Sequence, residues 1–312
     1  MGLGRRDRDE MIMSTKPLRA ARIAILVLAA LAFGAIGSLS QAAAQQDSQR
    51  DAQRDAQPDA QRDAQRDSWP ELADGLFQGR QLADGAGLIA IEMPARAEDA
   101  ALVPVTVRAT LPSGDSRRVK SFTVVIDENP APLAAIFNIG PNAVVPAIST
   151  RVRVNSYTNV HAVAELTDGQ LYVVKTYIKA SGGCSAPAVK SADKSGIGQL
   201  RLRQFAKSTA GPTDGATTNL REAQVMIRHP NNSGLQMDQI TRLYVPAYFV
   251  QSVKIFQGDE LLLAMEGSIA ISEDPNIRFS YVPTSAKPFR VEAVDTDNRV
   301  YKGEWPADAS QM

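Results

Sequence analysis

The chain has 312 residues, 34 Lys and Arg against 34 Asp and Glu, two histidines and a single cysteine. This inventory excludes a disulfide framework within one chain, and it supplies too few thiol and imidazole ligands for an ordinary zinc or copper site. The balanced charge leaves no basic footprint of the kind nucleic-acid binding requires.

In chain order, Lys16, Arg19 and Arg22 precede an apolar, small-residue run from Ile23 to Leu39, and Ala42-Ala43-Ala44 offers an A-x-A step. This is the pattern of a secretory signal peptide over residues 1–44, cleaved after Ala44. The alternative is an uncleaved anchor, but the run is short for a span and carries Gly34 and Gly37 near its end. Arg5-Arg6 is followed by charged residues and makes a poor twin-arginine signal. Without the leader the chain carries 28 basic and 31 acidic residues, a net of −3. Residues 45–68 repeat Asp-Ala-Gln-Arg, as in Asp51-Ala52-Gln53-Arg54. With nothing large and apolar to bury, the tract reads as a solvated tether.

From Trp69 the composition becomes globular. Gly87–Pro94 is the first predicted strand. Over Ala101–Leu111, Val103, Val105 and Val107 alternate with Thr106, Arg108 and Thr110, the period of a half-buried strand. Lys120–Ile126, Ala134–Ile139, Ala147–Asn155, Val160–Leu166 and Leu171–Ile178 follow, the last pair joined by an Asp168-Gly169 hairpin signal. About seven short strands with regularly spaced turns predict an immunoglobulin-like sandwich over residues 69–188. Residues 189–219 are rich in Ser, Thr, Gly and Lys and read as a linker, in which Ile197–Phe205 has enough apolar character to pack locally. A second set of strands covers residues 220–308: Arg221–His229, Leu243–Phe256 with Pro246 as an edge or bulge signal, Leu261–Ser272, Ile277–Val282, Phe289–Asp295 and Val300–Trp305. The predicted fold class is all-β, two immunoglobulin-like sandwiches in tandem with very low helical content.

The only cysteine sits between them, in Ser181-Gly182-Gly183-Cys184-Ser185-Ala186-Pro187. Two glycines remove side-chain bulk and permit backbone angles closed to other residues, and the surroundings are polar. The pattern predicts an exposed thiol on a mobile arm, set against the plainer reading of a small buried hydrophobe. Lys179, Lys190 and Lys194 are near enough in sequence to favour the thiolate. His161, mid-strand, and His229, beside Pro230, read as structural. Asp127, Glu128, Asp274, Asp295 and Asp297 lie beside turns, where carboxylates satisfy backbone groups. No phosphate loop or dinucleotide fingerprint is present, and no cofactor is implied. A Cys184–His229 pair would need the two domains to dock.

A family resemblance rests on particular segments. Leu102–Val107, Glu128-Asn129-Pro130, Ser149–Arg153, Ala164–Gly169 and Gly182-Gly183-Cys184 resemble SoxY, the sulfur-carrying subunit of the periplasmic thiosulfate-oxidising system. His229-Pro230, Ser233-Gly234-Leu235, Pro246–Val250 and Asp274-Pro275 resemble its partner SoxZ. The order of the two is similar to that of fusion carriers associated with quinoprotein dehydrogenases. The resemblance implies a non-enzymatic periplasmic carrier with Cys184 as the covalent attachment point and Gly182 and Gly183 as the arm hinge. It also implies docking of the two halves within the chain, and periplasmic oxidoreductases (Sox-type enzymes, a quinoprotein dehydrogenase or cytochrome c) as partners. The sequence departs from the family pattern in lacking a glycine after the cysteine, in continuing from the arm into a second domain, and in having Asp274-Pro275 in place of Asn-Pro. Rival readings are a non-covalent adapter of a quinoprotein dehydrogenase, a structural module with an incidental cysteine, and a disulfide-linked dimer.

Overall fold

The structure, a computed structural model, describes residues 67–187, 195–205, 220–283 and 286–307. The expected signal peptide, all but the last two residues of the tether, and most of the expected linker lie outside the described residues. No helix among the described residues is long and apolar enough to cross a membrane.

One short helix, α1 (Trp69–Phe77), opens the described chain, with Pro70 and Glu71 in its first turn and left-handed Gln78 (φ 54°) closing it. Proline and an acidic residue both suit a helix start. Its Trp69 ring stacks on His161 at 3.7 Å and 9°. Eight strands follow: β1 (Leu82–Asp84), β2 (Ile89–Glu92), β3 (Val103–Ala109), β4 (Val119–Ile126), β5 (Leu133–Ile139), β6 (Ala147–Val152), β7 (Thr158–Leu166) and β8 (Leu171–Ile178). The second half holds β9 (Leu200–Phe205), β10 (Arg221–Ile227), β11 (Val250–Gln257), β12 (Glu260–Gly267), β13 (Asn276–Tyr281), β14 (Phe289–Asp295) and β15 (Val300–Trp305).

The alternation behaves as expected. Val103, Val105 and Val107 face inward from β3, and Ala223, Val225 and Ile227 from β10. What the sequence did not suggest is how the halves join. Among the described residues the strands form two sheets, β1-β8-β7-β4-β5-β12-β11-β14-β15 and β2-β3-β6-β13-β10-β9. Both sheets therefore run through both halves. β5 pairs antiparallel with β12, Phe137 opposite Met265, and β6 pairs antiparallel with β13, Ile148 opposite Phe279. These four side chains belong to one apolar core. At this junction Gly140 is obligatory, because a Cβ there would lie 1.7 Å from the Leu261 carbonyl oxygen.

Two expectations need adjusting. Residues 200–205, inside the expected linker, form β9 and pair antiparallel with β10. Leu200 and Leu202 alternate with Arg201 and Arg203, and the otherwise open edge of β10 supplies the hydrogen-bonding partner. The expected strand Leu243–Phe256 begins only at Val250. The residues before it belong to a hairpin loop bridged at Asn232–Tyr248 and Met237–Tyr244.

Candidate functional site

β8 delivers the chain to Cys184. After Ile178, Lys179 bonds to the Ala95 backbone, and the chain then folds into a tight turn. The Gly182 N–H donates to the Asn155 carbonyl (2.8 Å) and the Gly183 N–H to the Val154 carbonyl (3.0 Å). The Ser185 and Ala186 N–H groups close back on the Gly182 carbonyl, at 3.2 and 3.0 Å. Gly182 sits at φ +76°, which a side chain disfavours. Gly183 is required for a different reason: a Cβ would lie 2.1 Å from the Ala100 carbonyl oxygen and 2.6 Å from that of Val154. The first glycine turns the chain and the second lets it be gripped.

Cys184 is 1% exposed. The exposed thiol read from the sequence is therefore corrected: in this structure the thiol is covered. The cover comes from both halves. Arg153, also 1% exposed, donates through Nη1 to the Gly183 carbonyl (3.2 Å) and through Nη2 to the Asn231 carbonyl (3.3 Å). The Ser233 hydroxyl donates to the Cys184 carbonyl at 2.5 Å. Ser233 is set in place by its own N–H, which donates to Gln236 Oε1 at 2.9 Å. Arg153 is held by the Ala270 carbonyl, which accepts its N–H at 2.7 Å, and by Asn129, whose Nδ2 donates to its carbonyl at 2.8 Å.

The electrostatics follow from this burial. Loss of solvent pushes the Cys184 thiol above the ordinary range, and the Arg153 charge opposes part of that rise. Burial in turn lowers Arg153, against the charges of Glu273, Cys184 and Asp99. That shift favours the protonated thiol, the less nucleophilic form.

Behind this contact lies a buried polar cluster. His229 Nδ1 is 2.8 Å from Asn231 Oδ1, and its ring packs on Tyr248 at 4.4 Å. Its Nε2 is 3.8 Å from Asp295, which accepts the hydroxyls of Tyr248 (2.8 Å) and Tyr301 (2.6 Å) and the backbone N–H of Asp297 and Arg299. Burial depresses the His229 pKa despite Asn231 and Asp295. Burial alone would raise the Asp295 carboxyl, but those four donors outweigh it and leave its pKa lowered. Asn231 (φ 42°) and Asp274 (φ 46°) both adopt left-handed backbone, which Asn and Asp tolerate best. His229 N–H donates to Asp274 Oδ1 and Asp274 N–H to the His229 carbonyl. His161 is elsewhere, its Nδ1 2.9 Å from Asp127. Among the described residues no group of His, Cys, Asp and Glu is arranged to hold a metal.

Arg153, Asn231 and Ser233 were not singled out by sequence. Arg153 and Ser233 lie in segments that carried the family resemblance, but nothing local signals that they close on a cysteine half a domain away. Ser233 also opens a loop with large apolar side chains in solvent: Ile240 is 92% exposed, and Leu243 and Tyr244 are exposed beside it.

Two family models match successive stretches of the chain. The family model described as sulfur oxidation protein SoxY matches residues 73–184, ending on Cys184 itself. That described as sulphur oxidation protein SoxZ matches residues 212–306. Among solved structures, the sulfur carrier protein SoxY of Chlorobium limicola f thiosulfatophilum is 25% identical, with 36% of this chain and 91% of that one covered and a TM-score of 0.31. A superoxide reductase (neelaredoxin) of Ignicoccus hospitalis is 14% identical over 29% of this chain and 78% of its own, with a TM-score of 0.26. At these scores the structural likenesses carry no functional weight. No curated protein matches. The chain belongs to the SoxY/SoxZ sulfur-oxidation family, as a SoxY domain followed by a SoxZ domain in one polypeptide.

Proposed function

We propose that this protein is an exported carrier, not an enzyme, that holds a sulfur-compound intermediate covalently on Cys184 and presents it to periplasmic oxidoreductases. The observation that carries this reading is the way Cys184 is held. The sole cysteine closes the SoxY match and is covered by Arg153 of its own half and Ser233 of the other, through bonds that end on backbone carbonyls. Such a turn shields the thiol while shut and can be released without unravelling a strand. Once out in water, the thiol loses the burial that raised its pKa and gains thiolate character. The thiol gives its proton to water, and joining its sulfur to a reduced cargo sulfur makes an S–S bond and releases two electrons, which a partner oxidoreductase such as a c-type cytochrome accepts one at a time. The exposed apolar loop that begins at Ser233 gives that partner a surface to hold while the arm opens. Export would follow from the leader over residues 1–44.

The burial of Cys184 favours a second reading, in which the cysteine is only packing and the protein is a non-covalent adapter of a quinoprotein dehydrogenase. Intact mass of the mature protein taken from its own periplasm, with and without reductant, separates the two. A reductant-removable mass on Cys184 corresponding to added sulfur is expected. A bare thiol under every growth condition would overturn covalent carriage.

A further inference from the structure

β6 ends at Val152, and the residues that follow it, Arg153, Val154 and Asn155, belong to no strand. All three hold the Cys184 turn. The Arg153 guanidinium donates to the Gly183 carbonyl at 3.2 Å, the Val154 carbonyl accepts the Gly183 N–H at 3.0 Å, and the Asn155 carbonyl accepts the Gly182 N–H at 2.8 Å. Two backbone N–H groups of this cradle find carbonyls in turns: Arg153 donates to Ala270 at 2.7 Å and Val154 to Ala100 at 2.9 Å. The Arg153 carbonyl and the Asn155 N–H are both taken up by one side chain, Asn129. Its Nδ2 donates to the Arg153 carbonyl at 2.8 Å, and its Oδ1 accepts the Asn155 N–H at 2.8 Å. A carboxamide carries a donor and an acceptor side by side on one plane, which is what bracketing three residues requires.

Asn129 is buried, and among the described residues none of its hydrogen bonds reaches the arm itself. It is aimed by a turn that is fixed in its own right. The Asn129 N–H donates to the Ile126 carbonyl at 3.1 Å, the Asp127 N–H to the Asn159 carbonyl at 3.2 Å, and the Glu128 N–H to Thr158 Oγ1 at 3.1 Å. Asp127 Oδ1 lies 2.9 Å from Nδ1 of His161, whose ring stacks on Trp69 of α1. We propose that Asn129 is a positioning residue for Cys184: by keeping the cradle in its gripping shape it sets how often the turn opens, and so regulates release of the thiol. Loss of its amide leaves a carbonyl and an N–H of the cradle unpaired. The cradle then relaxes toward water, and its bonds to Gly182 and Gly183 weaken while the sheets stay intact. That opening serves cargo transfer rests on the carrier reading above; the hold on the turn does not.

The test is thiol alkylation and amide hydrogen exchange on the full mature chain. Asn129→Ala should speed alkylation of Cys184 about tenfold, equivalent to ~1.4 kcal/mol. Protection of the Gly182 and Gly183 amides should fall by a similar factor, and that of the Phe137 and Val253 amides in the sheets should not. Ile255→Val, a change in the buried core of the second half, is the control. Compared at equal distance from its urea midpoint, it should alkylate more slowly than Asn129→Ala. Should Asn129→Ala fail to fold, Asn129→Asp carries the test: it has the same shape, keeps an acceptor for the Asn155 N–H and loses the donor to the Arg153 carbonyl, so alkylation should still outrun the control. Alkylation that tracks the urea midpoint alike in the Asn129 variants and the control, or unchanged protection of Gly182 and Gly183, would overturn the proposal. Carriage is read separately, from the mass on Cys184. Sulfur found there with no effect of Asn129 sinks this inference alone, and a bare thiol with accelerated alkylation sinks carriage alone.

Discussion

The two halves of this protein meet in two unlike ways. At the sheet junctions, five residue pairs of β5 and β12 and three of β6 and β13 continue the hydrogen-bonded ladders, over buried apolar side chains. At Cys184 the contact consists of side-chain donors, Arg153 and Ser233, reaching backbone carbonyls. Parting the first means exposing the common core, so it opens only with global unfolding. The second is a few hydrogen bonds, each worth about 0.5–1.5 kcal/mol net, and belongs to the class of contacts that open locally. The proposed function therefore needs the same pair of domains to have a permanent join and a releasable one.

The sharpest way to break that distinction is to attack each join and see whether the other notices. Phe137→Ala, at the β5–β12 junction, should cost about 3–5 kcal/mol of global stability in urea denaturation. Its effect on thiol alkylation should be no larger than that global loss. Gly183→Ala should do the reverse. Its methyl would overlap the Ala100 and Val154 carbonyls, a strain on the order of 1–3 kcal/mol carried by the closed turn alone. Alkylation of Cys184 should accelerate about tenfold or more, with the urea midpoint nearly unchanged. If Gly183→Ala unfolds the protein as a whole, the turn is part of the permanent join and the contrast fails.

Ser233→Ala removes one hydrogen bond to the Cys184 carbonyl. Alkylation should speed up by roughly fivefold, the equivalent of ~1 kcal/mol, with Tm almost unmoved. The smallest effect concerns His229 behind the contact. Its folded pKa is depressed, so below about pH 6.5 the unfolded chain takes up a proton that the folded one refuses. Stability should therefore fall as pH drops through the ordinary histidine range, before the carboxylates titrate. His229→Gln should flatten that slope; an unchanged slope would place the titration elsewhere.

Much of the fold was legible because burial leaves a period. β8 has the bounds read from sequence, Leu171–Ile178, and the alternation of β3 matches its inward face. The helix at Trp69 escaped notice because nine residues give little periodicity, although Pro70 and Glu71 mark its start. β9 shows alternation of its own, but within a Ser/Thr/Lys-rich stretch, and it becomes a strand through the edge of β10. For the site, the sequence located Cys184 and its glycines but not their state. Polar neighbours in sequence suggest exposure, whereas the folded chain buries the thiol. The residues that decide the matter, Arg153 and Ser233, lie 30 or more residues from the atoms they hold, and no local pattern announces a contact of that span.

β9 has one more consequence. The chain that leaves the Cys184 turn is pinned again at Leu200, on the far half of the molecule, so the arm is a loop with two fixed ends rather than a free tail. Cys184 stands six residues beyond the end of β8. At about 3.3–3.6 Å per extended residue, its leash from Ile178 is ~20 Å at full stretch. If Cys184 carries cargo as proposed, an enzyme that works on its sulfur must keep its reacting centre within that distance of the protein's surface. A reaction chamber at the bottom of a longer tunnel is out of reach.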